Sequence, residues 1–294
     1  MRQKKIWVFI LLSFVMSAGI GLLVHNIGQA NAQAAPTPTS VLLNTLLYSA
    51  AMFIPLLAVA ITRSIFKEPV FEGLGVSFKW NRWWWIGWLL MPLLALSILG
   101  VSLLMPGAQW GGDGEFVQTA LKQMPGNAGP WGLMAVTLLS GLVAGATINA
   151  LFAFGEEIGW RGFLMKELQG RKFLVVALII GLIWGLWHAP LILNGHNYPQ
   201  HPVAGVPMMV LMCLALTPML MYFRIKSGSV IVAAVMHGSI NALAGISNLF
   251  VTPANDLLYG ATGLAGLLTM LLFDIGLFLY DRYISKERIF TQAY

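Results

Sequence analysis

Eight stretches of about twenty mostly apolar residues dominate this chain, and a bilayer's hydrocarbon core of about 30 Å requires a helix of that length to cross it. They run over roughly 6–24, 41–61, 83–104, 131–154, 173–193, 206–223, 229–250 and 257–281. Of the 294 residues, 58% are hydrophobic and 10% charged, against roughly 25% charged in soluble domains. Too few polar groups remain to cover a water-exposed globule, which excludes a soluble enzyme and a disordered chain. The single cysteine, Cys213, can close no internal disulfide and build no cysteine-based zinc site. The expected fold is all-α, a polytopic bundle of about eight transmembrane helices forming one membrane domain over 1–294. No internal repeat is visible, and the only low-complexity tract is the Ala/Pro/Thr-rich linker at 30–39.

The basic residues test that count independently, because cytoplasmic loops are enriched in Lys and Arg. With eight spans and the N-terminus inside, the inner segments hold Arg2, Lys4 and Lys5; Arg63, Lys67, Lys79 and Arg82; Arg161, Lys166, Arg171 and Lys172; Arg224 and Lys226; Arg282, Lys286 and Arg288. Of the 17 basic residues only Lys122 falls outside. The alternation holds at every loop, which predicts both termini in the cytoplasm of a multi-pass plasma-membrane protein. The formal charge of +6 is then a topology signal, and no nucleic-acid partner is expected. The N-terminal run, followed by Ala30-Asn31-Ala32, resembles a secretory signal. Its apolar stretch exceeds the usual 7–15 residues, so an uncleaved anchor is expected. Trp83-Trp84-Trp85 and Trp88 read as an anchoring belt at the inner interface.

Ionisable groups within a span cost roughly 2.5–3.5 kcal/mol each on insertion scales and call for a reason. Three groups stand out: Gly155-Glu156-Glu157-Ile158-Gly159-Trp160-Arg161 at the inner end of the fourth span, Trp184 to Pro190 in the fifth, and His237-Gly238-Ser239-Ile240-Asn241 in the seventh. Glu157 and Arg161, four apart, share a helix face and can pair. Glu156 is turned about 100° away and stays free, with Asn149 extending its face inward. His237 and Asn241 also share a face. Gly141/Gly145 and Gly181/Gly185 are small-xxx-small pairs that predict close approach of the fourth and fifth helices. Depth poses a difficulty: His237 stands about 12 Å and His188 about 22 Å along their helices. They meet only if the fifth span starts late, tilts, or bends near Pro190, with Arg161 to Gln169 then continuing as an amphipathic surface helix.

These motifs, in this order, resemble the CPBP family of CAAX proteases and bacteriocin-processing enzymes, intramembrane proteases of the Abi type. The family pattern of Glu-Glu-x-x-x-Arg, aromatic-x-x-x-His and His-x-x-x-Asn/Ser reads here as Glu156-Glu157…Arg161, Trp184…His188 and His237…Asn241. Trp184 stands where Phe is commoner. The resemblance covers about residues 150–245 as a catalytic core region and implies a CAAX-prenyl-protease-like hydrolase. It assigns Glu156 and His188 to an activated water, His237 and Asn241 to the oxyanion, and Glu157 with Arg161 to support. The residues alone permit other divisions of these roles. The zinc signature His-Glu-x-x-His is absent; the resemblance is compatible with metal dependence and with glutamate dependence, and a metal-free glutamate mechanism is expected. A zinc-like divalent metal, if held, would sit on Glu156, His188 and His237 with an open position for water.

The expected function is therefore an intramembrane endopeptidase acting from the cytoplasmic side, its partners being a peptide or lipidated protein substrate and membrane lipids. The alternatives are a non-catalytic bacteriocin-immunity or scaffold protein, and an ion-coupled transporter using the same ionisable groups. Elsewhere plain readings are expected. Asp274 pairs with a basic group near the inner surface. The 105–130 connection is a short amphipathic cap, His196 and His201 titrate in solvent, and the Met-rich sixth span is adaptable packing.

Overall fold

The computed structural model describes residues 2–30, 37–124 and 128–293. The signal-like site at Asn31-Ala32 lies outside them. Among the described residues the chain is helical, with two-residue strands β1 (Gln109–Trp110) and β2 (Val251–Thr252) forming one antiparallel pair. Six helices cross by length and apolarity, and two bent pairs bring the number to eight. The single-piece crossings start with α1 (Arg2–Ala30) and α4 (Arg82–Leu104). The second crossing breaks by 42° between α2 (Pro38–Ala51) and α3 (Ile54–Ile65). Pro55, in the first turn of α3, suits a helix that restarts there because it has no N–H to leave unpaired. After the short α5 (Glu115–Lys122), the fourth crossing bends by 49° between α6 (Pro130–Ala146) and α7 (Ile148–Glu157).

From α7 the chain continues through a π-helical stretch, Ile158–Leu164, into α8 (Met165–Glu167). Residues 158–165 are all fully buried. The amphipathic surface helix expected over Arg161–Gln169 is therefore corrected: the segment is a core element. Then come α9 (Phe173–Trp187), α10 (Ala189–Ile192), α11 (Pro202–Ser227), α12 (Val230–Leu243), α13 (Gly245–Phe250) and α14 (Leu264–Leu279), the last running into a π-helical turn at Tyr280–Ser285. Gly228 ends α11 at φ +69°, a left-handed cap that costs glycine no steric penalty. Ser229 then caps α12 by accepting from Ile231 N at 3.2 Å.

Both termini lie at one end of the bundle. Arg2 Nη1 donates to Gln169 O at 3.4 Å, and Phe173 N donates to Gln292 O at 3.0 Å. Lys5 pairs with Glu68 and Lys226 with Glu287 at the same end. The strand pair, the α10–α11 connection and α5 occupy the opposite end. There α5 buries Val117 and turns Glu115 and Lys122 outward, the amphipathic cap that the sequence suggests.

The glycine pairs do bring helices close, but with other partners than expected. A Cβ on Gly145 would stand 2.5 Å from Ser239 Cα of α12, and one on Gly185 would stand 2.5 Å from Val210 Cα of α11. Gly181 likewise meets Leu214, and Gly141 meets Leu243. Thus α6 is clamped to α12 and α9 to α11, while the fourth and fifth crossings are not joined through these residues. Because the opposing atom at Gly185 is backbone, Gly185→Ala should cost about 1–3 kcal/mol of stability by overpacking. A thermal ramp of the detergent-solubilised protein checks this. The tryptophan cluster also divides. Trp83 and Trp84 are buried, with Trp83 edge-on to Tyr222, Phe223 and Tyr280, whereas Trp85 is exposed. Half of the expected belt is core packing.

Candidate active site

The acidic pair sits where α7 passes into the π-helical stretch, an insertion often found at functional sites because it widens the turn. Glu157 and Arg161 pair at 2.9 Å with both side chains fully buried. The same carboxylate oxygen, Glu157 Oε1, accepts from His237 Nδ1 at 2.9 Å. Arg161 Nη2 donates to Thr217 Oγ1 at 2.9 Å, and the guanidinium stands 4.2 Å from the centroid of the Trp184 ring. Buried charges need such partners, since an isolated ion in a low-dielectric interior loses its hydration without return. Glu156 points elsewhere, as its rotation predicts, and its Oε2 accepts from the Trp184 indole Nε1 at 2.7 Å.

The hydrogen bonds also set the state of both imidazoles. His188 Nδ1 lies 2.8 Å from Trp184 O. A carbonyl can only accept, so Nδ1 carries the proton and Nε2 keeps its lone pair. His237 Nδ1 is likewise turned to a carboxylate, which leaves its Nε2 free. Trp184 resolves the depth difficulty. Its ring stands edge-on to the His237 ring at 5.3 Å between centroids, while its carbonyl holds His188 one turn further on. Helix α9 also ends at Trp187, so the helix is interrupted at His188.

Glu156, His188, His237 and Asn241 all line one cavity of about 440 Å³, with Asn149 on its wall, a volume within the roughly 300–1,000 Å³ of ligand pockets. Glu157 and Arg161 lie behind it. Met52, Met209, Met212 and Met270 give it an apolar, adaptable lining. Glu156, Trp184 and His237 stand together in its lining. The rest of the lining includes Thr45 and Tyr48 of α2, His196 and Asn197 after α10, and Thr262 before α14. All of these belong to the end away from the termini.

The donor set does not converge on a metal position. Among the described residues no three His, Cys, Asp or Glu side chains could hold one ion, and Glu156 Oε2 and both Nδ1 atoms are engaged elsewhere.

Three expectations outside the motifs change. His196 does not stand in solvent: it stacks on Tyr48 at 4.5 Å and lines the cavity. Burial pushes its imidazole down to about 4, so the folded chain holds it neutral. Between its ordinary value near 6.5 and about 4 the unfolded chain binds the extra proton. Its contribution to stability is thus full above pH 6.5 and falls as the pH drops towards 4. His196→Gln should flatten the thermal-stability profile across that window. His201 pairs with Asp256 at 2.6 Å. Asp274 meets no basic partner among the described residues, and its Oδ1 is buried without a hydrogen bond. Sequence reasoning also missed Thr217 and Ser17, whose hydroxyl donates to Trp187 O at 2.9 Å next to His188. A lone Ser or Thr in an apolar span gives no signal of its partner.

Fold and site together define a polytopic helical membrane protein with a carboxylate–imidazole cluster lining a cavity. Residues 137–243, which contain all three motifs, match the family described as type II CAAX prenyl endopeptidase, Rce1-like. A 49-residue stretch is 47% identical to CAAX prenyl protease 2 of Methanococcus maripaludis, covering 16% of this chain and 18% of that protein. The similarity thus spans less than a fifth of that relative's length. Over that stretch the chain is similar to the CPBP intramembrane proteases.

Proposed function

We propose that this chain is an intramembrane endopeptidase of the plasma membrane, with both termini cytoplasmic, that hydrolyses a peptide bond of a membrane-associated or lipidated polypeptide. The observation that carries the reading is the shared cavity: Glu156, His188, His237 and Asn241 face it, while Glu157 and Arg161 brace it from behind. Glu156 Oε1 and the lone pair of His188 Nε2 hold a water molecule. Glu156 takes one of its protons as the water oxygen attacks the scissile carbonyl carbon. The carbonyl oxygen becomes an oxyanion, stabilised by the Asn241 amide and by His237 Nε2–H. For Nε2 to donate, the His237 ring must carry both protons, and the Glu157 carboxylate at Nδ1 supplies the countercharge. Collapse of the tetrahedral intermediate breaks the C–N bond, and Glu156 returns its proton to the leaving amine.

The CAAX protease relative and the family description support a peptidase, and a prenylated or otherwise lipid-linked polypeptide is the corresponding substrate class. The direct test is processing in cells. Glu156→Ala and His188→Ala should each abolish it with insertion and abundance unchanged. Normal processing by both variants would remove the catalytic assignment.

A further inference from the structure

The exposed part of the cavity lining lies towards the end of the bundle that the termini do not share. On the side of the termini the cavity is sealed. Behind Glu156 and His237 stand Glu157, Arg161 and Thr217, all fully buried, and beyond them Trp160 and Phe163 are packed on Phe9 of α1. The lining residues that reach the surface are Thr45, Asn197 and Asn241. Thr45 lies two turns into α2, which begins at the far end, and Asn197 lies in the far-end connection. Asn241 is at mid-depth on the seventh crossing. No exposed lining residue lies nearer the termini than that.

Charge then identifies the two faces. The end holding the termini collects all the basic residues but Lys122, whereas the far-end connections carry Asp113, Glu115 and Asp256. The basic face of a multi-pass protein is the cytoplasmic one. Resting on the peptidase reading above, we propose that the site receives its substrate from the extracytoplasmic face, so that the chain cleaves exported or outward-facing membrane-anchored polypeptides rather than cytoplasmic tails. The lining suits an extended segment. Its methionines accept apolar side chains of varied shape, and the Asn149, Asn197 and Asn241 amides offer donors and acceptors to a peptide backbone.

Single-cysteine labelling tests this without a known substrate, because the native Cys213 is buried and silent towards a membrane-impermeant maleimide. In spheroplasts, Thr45→Cys and the far-end reporter Asp113→Cys should react as fast as after permeabilisation, and Gln3→Cys only after it. Labelling of Thr45→Cys only after permeabilisation overturns the proposal, and so does no labelling of it in either state. A bulky maleimide attached to Thr45→Cys from outside should also block turnover of an internally quenched peptide, while the same adduct on Asp113→Cys leaves it unchanged. Sealed right-side-out vesicles should cleave that peptide and inverted vesicles should not; cleavage by inverted vesicles alone overturns the proposal. Absence of cleavage even in detergent counts against the peptidase reading, and the labelling pattern still decides the face.

Discussion

Glu156→Gln should lower kcat by about 10²–10⁴-fold, the range that general-base catalysis supplies, with KM and thermal stability nearly unchanged. The substitution is isosteric, and the amide oxygen can still accept from Trp184 Nε1, which now lies 2.7 Å from Glu156 Oε2. What it cannot do is take a proton from water. Asn241→Ala removes a donor to the oxyanion and should cost about 10²–10³-fold in kcat, again with little change in KM. Turnover of an internally quenched peptide by the detergent-purified protein measures both. If Glu156→Gln keeps wild-type turnover, the base lies elsewhere.

Arg161→Met should be the most destabilising single change at the site, by about 3–5 kcal/mol, because it strands the buried Glu157 carboxylate without its cation. The guanidinium also lies over Trp184 and binds Thr217, so its loss loosens the residue that holds both Glu156 and His188. Adding Glu157→Gln to Arg161→Met removes the stranded charge, and stability should recover in part. Turnover should not recover, since a neutral amide in place of the Glu157 carboxylate gives His237 no countercharge. A thermal ramp and a turnover assay on the two single variants and the double variant separate these effects. Equal loss of stability in the double and single variants would show that the ion pair is not what the fold depends on here.

Much of the fold is legible in the sequence, since a span is a matter of length and apolarity, and each of the eight apolar stretches has its counterpart in a crossing. What the sequence hides is partnership. Gly141/Gly145 and Gly181/Gly185 mark close approach without saying to which helix, and the partners turn out to be α12 and α11. Trp83 and Trp84 look like a belt because an aromatic beside an Arg at a span's end suits either the interface or the core. Only packing against Tyr222 and Phe223 decides.

The candidate site is legible in its residues but not in its assembly. The four-residue spacings give the Glu157–Arg161 pair. The bond from His237 to the same oxygen crosses 80 residues of sequence, and no spacing rule reaches that far. Axial arithmetic separates His188 from His237 because it tracks backbones, whereas the broad side chain and the carbonyl of Trp184 span the difference. The end of the bundle to which the cavity lining belongs is invisible until α2 and the connections at Asn197 and Thr262 are placed around it.

Hydrolysis by a Glu156-activated water leaves the oxygen of that water in the new carboxyl group, where it can be followed. Membranes from cells lacking the protein, supplied with purified wild-type or Glu156→Ala protein in H₂¹⁸O, would be read by mass spectrometry for new polypeptide C-termini. New C-termini carrying one ¹⁸O should form with the wild type and be missing with Glu156→Ala. The same set of new termini from both proteins, or none from the wild type, would contradict hydrolysis by a Glu156-activated water.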